Sequence, residues 1–222
     1  MVEVTGVDYI LTDIEGTTSD IAFVKNVLFP YSAREMRNFI SNNRSNPKVK
    51  ECLKQTEQAD ENGAIEQLLQ WIRDDVKHPA LKTIQGMIWK AGYENGSYKA
   101  HMYPDVKPAF EKWQAQGLPI GIYSSGSVAA QKNFYQYSDV GNLLGFISHH
   151  FDLDVGGKRE VSSYQKISEA LKTKNVLFLS DIAQELDAAR EAGFKTVQIV
   201  REGTTASDRH PTALNFTQIK IN

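Results

Sequence analysis

The residues YILTDIEGTTSDI, Tyr9–Ile21, set a short apolar run directly against two carboxylates, a glycine and several hydroxyls. Tyr9-Ile10-Leu11 reads as a buried strand, and Asp13 and Glu15 stand just past its carboxyl end. A strand that stops at a polar turn is the ordinary explanation of such a stretch. Asp-x-Glu-Gly-Thr is too short a pattern to displace that explanation alone. What ends the other apolar runs decides the matter.

Three further runs alternate with helical stretches: Leu118–Tyr123, Asn175–Leu179 and Lys195–Val200. Continuous apolar runs of this length, separated by helices, predict parallel strands covered on both faces. The helices are expected at Val106–Gln116, Val128–Tyr137, Ser162–Leu171 and Ala183–Ala192, with Gly117 and Gly193 where C-caps would fall. This βαβα order predicts an α/β fold, a Rossmann-like parallel sheet core with helices on both faces. From about Ile21 to Lys99 no strand is evident, only helix-compatible sequence such as EQLLQWIRDDV. A block of that size far exceeds an ordinary crossover. It predicts an inserted, mostly helical cap over residues 20–99, with Asn42–Pro47 as an internal loop. Residues 1–19 and 100–222 then form the core, with hinges near Thr18–Ala22 and Gly92–His101.

Each of three runs ends in residues suited to chemistry: Asp13 with Glu15, Ser124 with Ser125, and Asp181. In an open parallel sheet the ligand crevice lies outside the carboxyl ends of the strands. Neighbouring strands would therefore bring the three clusters to one place. Carboxylates converging there repel unless a cation neutralises them, which points to Mg²⁺ with oxygen ligands. Ser124, Ser125 and the backbone N–H groups beside Gly126 suit phosphate oxygens at the start of a helix. Asp181 and Ser124 have a plainer reading as N-caps of the following helices. For the cation facing a phosphate, Lys158 follows a Gly-Gly turn and can lean inward, whereas Lys166 reads as a solvated helical charge. Ser162 or Ser163 is expected to cap the helix that follows.

Composition excludes several functions. The 222 residues are 41% hydrophobic and 23% charged, enough to bury a core. A net charge of −2 offers no general attraction to nucleic acid or an anionic membrane. One cysteine, Cys52, allows neither an intramolecular disulfide nor a CxxC pair. The five histidines lack HxxxH or HExxH spacing, so zinc is not expected. Gly156-Gly157-Lys158 is no Walker loop. No leader or membrane-spanning run is read, and a cytoplasmic protein is expected.

The set DIEGT (Asp13–Thr17), YSSGS (Tyr123–Ser127), Lys158 and LFLSD (Leu177–Asp181) resembles the four motifs of the haloacid-dehalogenase-type phosphotransferases. Glu15 stands where most members carry aspartate. Together with FVKNVLFPYS (Phe23–Ser32) and LKTIQGMIWKAGY (Leu81–Tyr93), it is similar to one subgroup, the enolase-phosphatases (acireductone synthases) of methionine salvage. The resemblance implies an aspartyl-phosphate on Asp13, with Glu15 as general acid and base. It implies phosphoryl contacts from Ser124, the Ser125 amide and Lys158. Mg²⁺ would be held by the Asp13 and Asp181 carboxylates and the Glu15 backbone carbonyl. Glu185 would orient a metal-bound water, unless it is a solvated first-turn glutamate. The implied substrate is 2,3-diketo-5-methylthiopentyl 1-phosphate, a small phosphorylated diketone, handled by a monomer in the cytoplasm, or in the nucleus of a eukaryote. Lys82, Gln85 and Trp89 are cap candidates on one helix face, Trp89 alternatively as cap core. A general phosphatase, a sugar-phosphate mutase or a non-catalytic binding protein would share the same core.

Overall fold

The computed structural model describes residues 1–222. Its strands are Val2–Val4 (β1), Tyr9–Thr12 (β2), Ile120–Tyr123 (β3), Ile147–Phe151 (β4), Val176–Ser180 (β5), Lys195–Ile199 (β6), Thr212–Ala213 (β7) and Ile219–Ile221 (β8). Its α-helices are Ile21–Phe23 (α1), Phe29–Asn42 (α2), Pro47–Lys54 (α3), Glu61–Arg73 (α4), Pro79–Glu94 (α5), Val106–Ala115 (α6), Val128–Gln136 (α7), Val161–Leu171 (α8) and Ala183–Glu191 (α9). The chain divides into two compact units, Met1–Ile21 with Ala100–Asn222, and Ala22–Lys99.

The first unit is an α/β layer structure. A six-stranded sheet runs β4-β3-β2-β5-β6-β7, and β1 pairs separately with β8. Every pairing is parallel. β2 is fully buried and sits between β3 and β5, with Leu11 opposite Gly121 on one side and Phe178 on the other. Strand order therefore reverses at β2, and crevices open at its carboxyl end. Tyr9, Leu11, Tyr164, Phe178 and Leu186 belong to one core that ties sheet to helices. The helix ends follow their sequence: Gly117 and Gly193 take φ of +75° and +96°, a region open to glycine at little cost.

β4 is not among the apolar runs read from the sequence. ISHHF lacks an apolar run because it lies at the edge of the sheet, where only Phe151 is fully buried. A second correction concerns α8. Neither Ser162 nor Ser163 caps it. The helix starts at Val161 after Glu160, and Ser163 Oγ donates to the Gly157 carbonyl at 2.8 Å.

The second unit is helical. Asn46, Asp60 and His78 each accept a hydrogen bond from a first-turn N–H of α3, α4 and α5. Pro47 and Pro79 open their helices, where a missing N–H costs nothing. Met36, Ile40, Val49, Leu68, Ile84 and Ile88 form its core, with Trp89 packed against it. Trp89 Nε1 donates to the Leu28 carbonyl at 2.8 Å, Gln85 is buried against Ser32, and Lys82 is exposed. The three therefore do not present one common exposed face. No helix of the chain is long and apolar enough to cross a membrane.

Candidate active site

β2 ends at Thr12, and Asp13 follows with its N–H still bonded to the Leu179 carbonyl of β5 at 2.9 Å. The ladder thus fixes the backbone of Asp13 while its side chain turns out of the strand. Ile14–Ser19 then forms a tight loop: Thr17, Thr18 and Ser19 donate to the Ile14 carbonyl, and Gly16 donates to Ser19. Gly16 has φ +74°, and a Cβ there would fall inside the Asp181 carboxylate. The loop and the end of β5 consequently lie in direct contact. Thr17 Oγ1 accepts the Asp181 N–H at 3.0 Å, and Gln198 Nε2 donates to the Asp181 carbonyl at 2.8 Å.

A cavity of about 170 Å³ lies over these strand ends, lined by Asp13, Glu15, Ser124, Ser125, Lys158, Asp181 and Glu185 among others. All residues read from the sequence as site candidates in this unit are in its wall. Lys158, with only 8% of its surface exposed, places Nζ 2.6 Å from Asp13 Oδ1 and 2.7 Å from Glu185 Oε2. Burial alone would pull its ammonium down, but the two carboxylates outweigh burial and hold it above the ordinary lysine value. Lys166 is exposed and donates to the Val155 carbonyl, apart from the site.

The N-cap readings do not hold. α7 is capped by Ser127, which accepts from Ala130, while Ser124 Oγ accepts from Gly126 N at 3.2 Å inside the loop. α9 follows Ile182, not Asp181. Nor is Glu185 solvated. It is buried, accepts from Ser180 Oγ at 2.9 Å and faces Lys158. Burial, then Asp13, raises the Glu185 carboxyl to about 7. Burial, then the charges of Asp13 and Glu185, raises Asp181 to about 7 as well.

Two carboxylates, Asp13 and Glu185, thus share one ammonium, and Asp181 Oδ1 in the same cavity is buried with no hydrogen-bond partner. An orphaned oxygen in an excess of negative charge fits a divalent cation with hard-oxygen preference. No group of three His, Cys, Asp or Glu side chains is placed to hold a metal alone.

Sequence reading missed Gln131. Its Nε2 donates to the Gly126 and Phe151 carbonyls, both at 2.8 Å, while His150 Nδ1 meets its Oε1 at 3.1 Å. It fastens the serine loop to β4. A buried polar residue one turn into α7 was the available signal, but burial is invisible in one sequence.

A profile of the haloacid dehalogenase-like hydrolases matches residues 7–193. The curated enolase-phosphatase E1 of Alcanivorax borkumensis is 49% identical over 97% of this chain and 99% of its own length. This chain belongs to the enolase-phosphatase family of haloacid dehalogenase-like hydrolases. The enolase-phosphatase E1 of Erwinia tasmaniensis is 47% identical over 95% of each chain. The UTR4 protein of Saccharomyces cerevisiae superposes on this family member with a TM-score of 0.83 at 33% identity, covering 95% of this chain and 98% of its own.

Proposed function

We propose that this enolase-phosphatase family member enolises 2,3-diketo-5-methylthiopentyl 1-phosphate and hydrolyses the enol phosphate through an aspartyl-phosphate on Asp13, with Mg²⁺ as cofactor. As a member of its family, the chain carries the acireductone synthase step of methionine salvage, which yields 1,2-dihydroxy-3-keto-5-methylthiopentene and phosphate. The observation that carries the assignment of roles is the Asp13–Lys158–Glu185 array in the floor of the cavity at the end of β2.

An Asp13 carboxylate oxygen attacks phosphorus as the bond from phosphorus to the enol oxygen breaks. Glu15, exposed on the cavity wall, gives its proton to that leaving oxygen. Glu15 then takes a proton from water, whose oxygen attacks the aspartyl-phosphate and restores the Asp13 carboxylate. Lys158 orients Asp13 and, with Ser124 Oγ and the Ser125 N–H, receives the charge of the transferring phosphoryl oxygens. Glu185, 2.7 Å from Lys158 Nζ, helps hold that ammonium against Asp13. Asp13, Asp181 and the Glu15 carbonyl would hold Mg²⁺, which when bound offsets phosphoryl charge and polarises the substrate oxygens. Residues 1–19 and 100–222 act as the phosphatase core and residues 20–99 as the cap that selects the diketone. The protein works as a cytoplasmic monomer on this small molecule, not on nucleic acid or membrane.

Asp13→Asn tests the covalent route. It removes the nucleophile without changing volume, so the fold should persist by circular dichroism while phosphate release falls at least about a hundredfold, ~2.7 kcal/mol in barrier. Retention of more than about one per cent of activity would overturn the aspartyl-phosphate.

A further inference from the structure

Arg201 follows β6, the strand beside β5 in the sheet, and no role in the chemistry above falls to it. Its guanidinium is nevertheless among the most enclosed charges in the unit, with 8% of the residue exposed. Nε and Nη2 both donate to the Thr17 carbonyl, at 3.2 and 2.9 Å. Nη1 and Nη2 form a fork on the Asp105 carboxylate, at 2.9 Å each. The guanidinium carbon lies 4.0 Å from the centre of the Tyr103 ring. Asp105 is itself held by the Phe216 N–H at 2.8 Å. One planar cation is thus held by Asp105, Tyr103 and the Thr17 carbonyl, and Nη1 also reaches the Leu214 carbonyl at 3.4 Å.

The Thr17 carbonyl belongs to the residue whose hydroxyl accepts the Asp181 N–H. Thr17 therefore joins the loop bearing Asp13 and Glu15 to the residue bearing the orphaned Asp181 oxygen, and Arg201 sets where Thr17 sits. We infer that Arg201 is a positioning residue: through Thr17 it fixes the separation of Asp13 and Asp181, and so the affinity of the site for Mg²⁺. This inference rests on the proposed function, since it takes Asp13 and Asp181 as the metal-holding pair.

Arg201→Lys is the informative variant. An ammonium still pairs with Asp105 but cannot at once reach the Thr17 carbonyl through two donors in a plane. Titration calorimetry of Mg²⁺ into the protein, without substrate, should show affinity weakened about 10-fold to 100-fold, the usual effect of losing an outer partner of a metal ligand. The Mg²⁺ concentration for half-maximal phosphate release should rise in step, with the substrate KM at saturating Mg²⁺ little changed. Asp105→Asn, which loosens the same guanidinium without touching Thr17, should give a smaller shift in the same direction. A merely structural role predicts lower Tm with unaltered Mg²⁺ affinity per folded molecule, and that result overturns the inference. So does wild-type Mg²⁺ affinity in both variants. A wild-type protein that takes up no Mg²⁺ would instead overturn the metal assignment, and this inference with it.

Discussion

Glu15 stands exposed on the cavity wall while Asp13 beside it is buried and paired, so the two carboxyls can carry different duties. Glu15→Gln should leave enolisation running and slow phosphate release by about 10² to 10⁴, the usual cost of losing a positioned general acid. The enol phosphate should then accumulate and be followed by its ultraviolet absorbance. Equal loss of both stages would mean that Glu15 serves both. Asp181 yields a prediction of a different kind. Its carboxyl is raised to about 7 in the folded chain, against an ordinary value near 4. Between those values the folded state binds more protons than the unfolded state. The contribution to stability is therefore full at low pH and is lost as pH rises through about 7. Metal-free wild type should lose more Tm than Asp181→Asn between pH 5.5 and pH 8. An identical decline in both would show that Asp181 does not titrate in that window.

The loop after β2 depends on one glycine. Gly16→Ala imposes a Cβ at positive φ and drives it into the Asp181 carboxylate. It should destabilise the protein by more than about 1 kcal/mol in urea unfolding and disable phosphate release together. Normal activity in that variant would mean that the loop and the end of β5 move independently. The same elements show what a single sequence discloses. β2, β3, β5 and β6 were legible because interior parallel strands are buried on both faces and read as unbroken apolar runs. Edge strand β4 and the short β1, β7 and β8 carry too few buried positions to leave that mark. Asp13, Ser124 and Asp181 could be found because each directly follows an apolar run or ends one. Lys158 was legible from its Gly-Gly turn. Glu185 had two equal readings until its burial against Ser180 and Lys158 was known, since a carboxylate in a first helical turn is also a common solvent-facing choice. Thr17 was legible only as the end of DIEGT and Gln131 not at all, because their work is done with partners distant in sequence.

The proposed function makes an expectation for the whole molecule, because Asp13, Asp181 and Glu185 gather with one ammonium, Lys158, at the carboxyl end of the sheet. Removal of Mg²⁺ by chelation should abolish phosphate release, and its return should restore it. Ca²⁺ should bind and inhibit, because it is larger and takes more oxygens than the site's geometry suits. Full turnover after exhaustive chelation would remove the metal from the mechanism. The placement of β2 has another consequence, for the time during which the protein is made. The strand that presents Asp13 is synthesised well before both of its neighbours, Ile120–Tyr123 and Val176–Ser180. At ordinary rates of translation the apolar segment Tyr9–Thr12 waits on the order of ten to thirty seconds for its second flank. During that interval residues 22–99, whose contacts are mostly their own, are free to collapse first. The newborn chain therefore carries Asp13 on an unpaired, water-avoiding ribbon, a natural target for chaperones until Val176–Ser180 emerges.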